Sequence, residues 1–296
     1  MSSLLRPSSS LALGRFARQA RALLLFYVWL AATVVAAEAA RRLALLAVWA
    51  GDGRTVLRAF AGEWAKAAVR CGMALAVQTA LRARRRPGEG LGMAAEPVVR
   101  MLCLAAASDA AVSTWYLAKH VGSSRTHVPF YLAYPLLIAK VFVWEVAFDF
   151  VHYWCHRLSH AHPLVYRLSH RTHHRGYRSQ KTPTPLATYQ QGALDLCVSN
   201  AIPAAFALAV VDATLGPVGA AAQEVLWAQK VFVEVAGHNG LDETTWTAFP
   251  MCVWLPRVLD IHIRSRDHHM HHKRPSCNFG KRTTLWDRAF GTLATV

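Results

Sequence analysis

Histidine is placed in this chain in three short clusters at the spacing of a helix face, and that placement limits the fold more than any other feature. His156 and His160 form the first, in HRLSH. His170, His173 and His174 follow nine residues later in HRTHH, and His268, His271 and His272 close the set in HHMHH. Residues i, i+3 and i+4 share one side of an α-helix, so each cluster turns imidazoles toward a single point. Imidazole binds a metal while neutral, brings no anion into a buried site and keeps its second nitrogen for an outer hydrogen bond. Nine of the chain's 15 histidines fall in these clusters, eight of them at helical spacing, and each cluster is interleaved with other residue types, unlike a tag or a homopolymeric tract. Such a chain is expected to be helical and to bring three distant stretches to one place.

The surroundings point to a membrane. Of 296 residues, 54% are apolar and the mean hydropathy is positive, which argues against an ordinary soluble protein. A net charge of +16 is compatible with nucleic-acid binding, yet the basic residues flank apolar runs and no nucleic-acid motif occurs, so they read as the flanks of membrane helices. Cysteines at 71, 103, 155, 197, 252 and 277 form neither a CxxC nor a disulfide framework and read as reduced, mostly buried thiols.

Residues 1–21 are rich in Ser and Arg and free of acids, with Arg6, Arg15, Arg18 and Arg21 ahead of an apolar run. That start fits a signal anchor oriented by its positive flank, and equally an organelle transit peptide. Ala22 to Ala40 approaches the ~20 residues a spanning helix needs. Val56 to Leu81 is interrupted by Glu63, Lys66 and Arg70, so it either spans with its charges turned to other helices or lies in the interface. Arg82, Arg84, Arg85 and Arg86, with Pro87, Gly88 and Gly90, read as a basic cytosolic linker. It divides an N-terminal anchor region, residues 1–100, from the main domain, residues 101–296.

Met101 to Leu117 and Val128 to Val151, joined by the polar loop Lys119 to His127, read as a membrane hairpin. Asp109, Glu145 and Asp149 sit inside these runs, where a carboxylate is costly unless it faces a partner or a site. Asp149, seven residues before His156, is a candidate acceptor for a ligand imidazole, with an interhelical hydrogen bond as the other reading. His152, four residues before His156, is a candidate for the same outer role.

Pro163 is expected to end the first histidine helix. After the basic stretch Arg175 to Pro185, apolar sequence resumes from Ala193 to Val211, broken by Pro203, and from Val218 to Ala236. A return hairpin there brings the chain out at His238, in GHNG, on the side where it left, so all the clusters meet on one membrane face. Arg157, Arg167, Arg171, Arg175, Arg178 and Lys181 make that face the cytosolic one, and position adds His238 to the ligand set. His262 lacks ligand spacing, and His269 points away. Trp246, Phe249, Trp254 and Leu255, around Pro250 and Pro256, suit the membrane interface.

DFVHYWCHRLSH, HRTHH and HHMHH, followed by CNFGKRTTLWDRAFGTL, resemble the histidine boxes and ending of the fatty acid hydroxylase and sterol desaturase superfamily of membrane enzymes. GHNG resembles that family's extra histidine motif, in which serine usually follows the histidine. The likeness runs from Val128 to the C-terminus and leaves out residues 1–100. It implies an all-α fold, an integral membrane bundle of about four to six helices capped by a cytosolic histidine-rich di-metal domain. Carried over position by position, the ligands of two irons are His156, His160, His170, His173, His174, His238, His268, His271 and His272, with no catalytic residue beyond them. Asp149, His152 and Asn278 are the outer partners. Nine neutral imidazoles suit two metals of higher coordination number better than zinc, which prefers four ligands.

The resemblance further implies O2 as co-substrate and attack on a C–H bond of a lipid. Hydroxylation and desaturation begin with the same hydrogen abstraction, and spacing does not separate them. KTPTPLATYQ and the C-terminal motif look more like the sterol-oxidising branch, with its methylsterol oxidases, than the sphingolipid branch. The alternatives are a sterol desaturase, a fatty acid or sphingolipid hydroxylase, and a non-catalytic membrane metal-binding protein. With no HPGG haem segment, dinucleotide fingerprint or cysteine cluster, electrons must come from a separate protein. The resemblance implies cytochrome b5 with its NAD(P)H reductase, an acidic carrier suited to the basic face. The endoplasmic reticulum is the expected membrane, with a plastid or other organelle as the alternative.

Overall fold

The structure, a computed structural model, describes residues 9–47, 55–85, 88, 95–120, 130–178, 184–241 and 255–294. Trp246, Phe249, Pro250, Trp254, Cys252, Arg86, Pro87, Gly90, Lys181 and most of the loop Lys119 to His127 lie outside the described residues. The described residues contain no strand, only one antiparallel bridge between His262 and Thr283.

Four long helices come first: α1 (Ser9–Ala47), α2 (Thr55–Arg85), α3 (Ala95–Lys119) and α4 (Phe130–Ala161). Then come α5 (Pro163–Val165), a π turn (Tyr166–His170) and α6 (Arg171–Arg178). A 3-10 turn (Pro185–Tyr189) leads to α7 (Ala193–Leu196), a second π turn (Cys197–Ala201), α8 (Ile202–Leu215) and α9 (Ala220–Gly237). The chain closes with α10 (Leu255–Val258), α11 (Ser265–Lys273) and α12 (Leu285–Ala289). Leu24–Leu45, Val98–Lys119 and Ala193–Leu215 are each long and apolar enough to cross a membrane. The 22 residues of the first reach about 33 Å as a helix, against a hydrocarbon core of about 30 Å.

α9 is the axis of the bundle, buried continuously from Leu226 to Ala236. One of its sides joins Phe26, Trp29 and Leu30 of α1 and Cys71 and Ala74 of α2. Leu226 and Trp227 join Tyr116 of α3, Trp144 and Phe148 of α4, and Leu208 and Val211 of α8. Yet α9 also carries Glu224, Gln229, Lys230 and Glu234, and each meets a partner from a neighbour. Lys66 reaches Glu224 at 2.5 Å, Lys230 reaches Asp109 at 2.9 Å, Gln229 reaches Glu145 at 2.9 Å and Arg282 reaches Glu234 at 2.8 Å. A charge in an apolar bundle persists only when paired, so these contacts select which helices adjoin α9.

That selection changes the expected pairings. α3 lies chiefly against α2, α4 against α8, and α9 against α2, so neither expected hairpin forms as a side-by-side pair. The charges of Val56 to Leu81 are turned inward: Glu63, Lys66 and Arg70 are buried. Arg82 is buried as well, so it belongs to the bundle and not to the basic linker. Pro203 does not break its segment. The π turn just before it frees the local backbone from the regular ladder, so the missing proline N–H costs nothing there, and the helix continues to Leu215. Of the described cysteines, Cys71 and Cys277 are buried, whereas Cys103 and Cys197 are exposed on apolar helices.

Candidate metal centre

The histidine clusters converge where α4, α6, α9 and α11 meet. α4 brings His156 and His160 to its last turns and stops at Ala161, because His162 is extended and Pro163 starts the next helix. The following π turn ends on His170, and α6 presents His173 and His174. His238 caps α9, and α11 contributes His268, His271 and His272. All nine fall into two groups, each with its ligand atoms within 4.8 Å of one another. One holds His156, His160, His170, His174 and His271; the other holds His173, His238, His268 and His272. Successive helical residues point about 100° apart. The adjacent pairs His173 and His174, and His271 and His272, therefore each send one ring to each group.

The outer hydrogen bonds fix which nitrogen faces inward. His156 Nδ1 donates to the Phe279 carbonyl at 2.8 Å, and His271 Nδ1 to the Cys277 carbonyl at 2.8 Å. His238 Nδ1 donates to the Glu234 carbonyl at 2.9 Å, and His170 Nδ1 to Asp195 at 3.1 Å. A carbonyl only accepts, so Nε2 of the neutral His156, His238 and His271 rings carries a lone pair. The Nε2 atoms of His156 and His170 are buried with no hydrogen-bond partner. His271 Nε2 stands 3.1 Å from His160 Nε2 and 3.3 Å from His174 Nε2. His268 Nε2 stands 2.9 Å from His238 Nε2 and 3.0 Å from His272 Nε2. Ring nitrogens gathered this closely in a buried site are reconciled by a shared proton or by a cation among them. The donor set therefore fits metal ions, one per group.

Burial keeps six of the rings neutral. It holds His238 at about 4 and His271 at about 3, and pushes His156, His173, His268 and His272 well below the ordinary imidazole value. Neutral imidazoles are the form that ligates a metal.

The two acceptor carbonyls of the five-histidine group flank Asn278, whose φ of 56° lies in the left-handed region. Its side chain holds that bend by donating to the carbonyls of Asp267 and Ala294. Asp287 then accepts the backbone N–H groups of Phe279 and Gly280, both at 2.8 Å. A Cβ on Gly280 would come within 2.5 Å of the Thr283 carbonyl oxygen and 2.9 Å of Asp287. The NFG and WDR motifs thus form one lock that aims two carbonyls at two histidines.

The expected outer partners act differently from the sequence reading. Asp149 touches no imidazole: it accepts from the backbone N–H groups of Lys281, Arg282 and Thr283 and from the Thr283 hydroxyl, and so tethers the C-terminal segment to α4. An acid within reach of three consecutive amides is satisfied there and has nothing left for a ring. Asn278 shapes the carbonyl loop without touching a ring. His152 stands outside both groups, with Nδ1 on the Ser199 carbonyl at 2.9 Å. His262 and His269 lie outside the groups as well. Two contributors are absent from the sequence reading. Asp195, at the head of an apolar run, carries the signal that singles out Asp149. Tyr177 stacks on His272 at 3.6 Å between ring centroids and bonds His269 at 2.8 Å, and nothing in its sequence context marks it.

A small cleft borders the four-histidine group, lined by Val233, Ala236 and Ile263, by His238 and His268, and by the charged Glu234, Arg264 and Lys281. The profile of the fatty acid hydroxylase family matches residues 141–292, which include every histidine of the two groups. Fatty acid hydroxylase vlmA of Lecanicillium sp. is 31% identical over 156 residues, covering 51% of this chain. The aligned part spans 41% of that relative's length. No solved structure matches the chain. With the family's profile covering more than half of its length, and the histidine groups inside the match, the chain belongs to the fatty acid hydroxylase family.

Proposed function

We propose that this chain is a membrane-bound, oxygen-dependent lipid hydroxylase holding two irons, with a sterol as its substrate. The observation that carries the reading is the inward turn of nine imidazoles, as groups of five and four, the second beside a cleft. Iron held there supplies the redox chemistry that inserts one atom of O2 into an unactivated C–H bond, the other leaving as water with two electrons and two protons. The histidines act as ligands, not as acids or bases. The carbonyls of Phe279, Cys277 and Glu234 and the Asp195 carboxylate set their tautomers and ring directions. Val233, Ala236 and Ile263 offer apolar surface to a lipid beside His238 and His268.

The sterol class rests on the KTPTPLATYQ and TTLWDRAFGTL stretches. A fatty acyl substrate is the second reading, favoured by the name of the Lecanicillium relative. Electrons come from a separate carrier, cytochrome b5 with its reductase, meeting a face on which Arg167, Arg171 and Arg175 are exposed. That face is cytosolic and the membrane that of the endoplasmic reticulum. Residues 1–100 form the anchor region, and residues 101–296 the hydroxylase domain. The test is a lipid profile of cells expressing the wild-type chain or His173→Ala. An oxidised sterol present only with the wild type supports the reading. A hydroxylated acyl chain moves it to the second class, and an unchanged profile overturns hydroxylation of either. Neutralising Arg171, Arg175 and Arg178 together is expected to slow reduction and flatten its salt dependence; unchanged rates would remove the docking face.

A further inference from the structure

Residues 1–100 lie outside the stretch that matches the family, yet two of them grip the turn that carries His238. Gln78 and Arg82, one helical turn apart on α2, are 0% and 1% exposed and sit beside the C-terminal end of α9. Arg82 Nη1 donates to the Asn239 carbonyl at 2.8 Å, and Asn239 Nδ2 donates to Gln78 Oε1 at 2.8 Å. Asn239 Oδ1 in turn accepts from the Leu241 backbone N–H at 2.8 Å, closing the turn over Gly240, whose φ is 71°. Asn239 is thereby held at its carbonyl and at both ends of its amide.

His238 needs such a hold. It lies past the last turn of α9, tied to that helix by its N–H on the Val235 carbonyl at 3.2 Å and by Nδ1 on the Glu234 carbonyl at 2.9 Å, and the chain beyond it leaves the helix at Asn239. Its Nε2 must still keep station 2.9 Å from His268 Nε2. The other three histidines of that group stand on α6 and α11, inside helical turns. A guanidinium at the end of α9 also opposes the partial negative charge that gathers there. The five-histidine group has no such tie among these contacts: the outer partners identified for it are Asp195 and the 277 and 279 carbonyls.

We propose that Gln78 and Arg82 are positioning residues for His238, acting through Asn239, so that the four-histidine site depends on α2 while the five-histidine site does not. The proposal rests on the reading of the two groups as iron sites. The test loads the full-length chain in detergent with ferrous iron under anaerobic conditions, and measures iron per chain, its loss to a chelator and the Mössbauer spectrum. Wild type is expected to hold two irons in two distinguishable environments. Gln78→Leu and Arg82→Leu are each expected to weaken one of them about tenfold while leaving the other's signal unchanged, and Arg82→Lys to recover part of the loss. Asn239→Ser, whose hydroxyl is too short to span to Gln78, is expected to weaken the same iron, and adding Gln78→Leu to it should cost nothing more. Should the leucine variants misfold, Asn239→Ser alone decides between selective loss and none. The clamp is overturned if these variants keep both irons at wild-type affinity, lose both equally, or if Gln78→Leu acts as strongly in the Asn239→Ser background as in the wild type. A wild-type chain that takes up no iron overturns the metal reading itself, and the clamp with it.

Discussion

The two histidine groups are equal in burial and differ in how they are held. The five-histidine group is braced from within the family-matched region: Asp195 orients His170, and the lock of Asn278, Gly280 and Asp287 aims two carbonyls at His156 and His271. The four-histidine group has the Glu234 carbonyl on His238 and Tyr177 on His272 within that region, adds a brace from outside it, Gln78 and Arg82 of α2, and borders the cleft. The first has five histidines and a frame drawn from its own region; the second has four and takes part of its frame from a distant helix.

The strongest way to separate the groups is to remove a ligand from one. His271→Ala is expected to empty the five-histidine group and abolish activity, and His173→Ala the four-histidine group with the same loss of activity, whereas His262→Ala should do neither; metal analysis beside turnover checks all three. Next in size is Asp195→Ala, which leaves His170 Nδ1 without its acceptor and should weaken iron about 10–100-fold at the five-histidine group alone. Gly280→Ala forces a Cβ against the Thr283 carbonyl, so the carbonyl lock must shift. Overpacking of this kind costs about 1–3 kcal/mol, readable as a lower unfolding midpoint together with looser iron at the five-histidine group. Tyr177→Leu removes the ring stacked on His272 and should cost the four-histidine group about 1 kcal/mol in metal affinity.

Acid should act on the metal-free protein through both groups. Their imidazoles have folded values depressed to about 4 for His238 and about 3 for His271, below the ordinary 6.5. Below that ordinary value the unfolded chain binds protons that the folded chain refuses, so stability is full above it and falls as pH drops toward the folded values. Denaturant titrations of metal-free protein between pH 7 and pH 4 check the sign; stability that rises on acidification would contradict buried neutral rings.

The meeting of the histidines was the most legible part of the site, because helical period turns HxxxH and HxxHH toward one side, but the single point expected for each cluster divides: His173 parts from His170 and His174, and His271 from His268 and His272, since adjacent helical residues cannot face one point. The outer partners were much less legible. Three of the four are main-chain carbonyls, which every residue possesses, and Asp149 shows that an acid at the right helical offset can be satisfied by amides arriving from 132 to 134 residues away. Apolar runs marked the membrane helices, but helix neighbours depended on charge pairs distant in sequence, such as Lys66 with Glu224, and so both expected hairpins gave way to other pairings. Arg82 illustrates the same point. Beside Arg84 and Arg85 it reads as one of a basic run, while its helical phase buries it against Asn239 and leaves the other two exposed.

Iron stoichiometry in the full-length, detergent-purified chain tests the division into two groups most directly, measured for wild type, His271→Ala and His238→Ala under the same loading. Two irons in the wild type and one in each variant, with different Mössbauer signals surviving in the two, is the result expected of separate five- and four-histidine sites. A single iron in the wild type, or the same surviving signal in both variants, would contradict it.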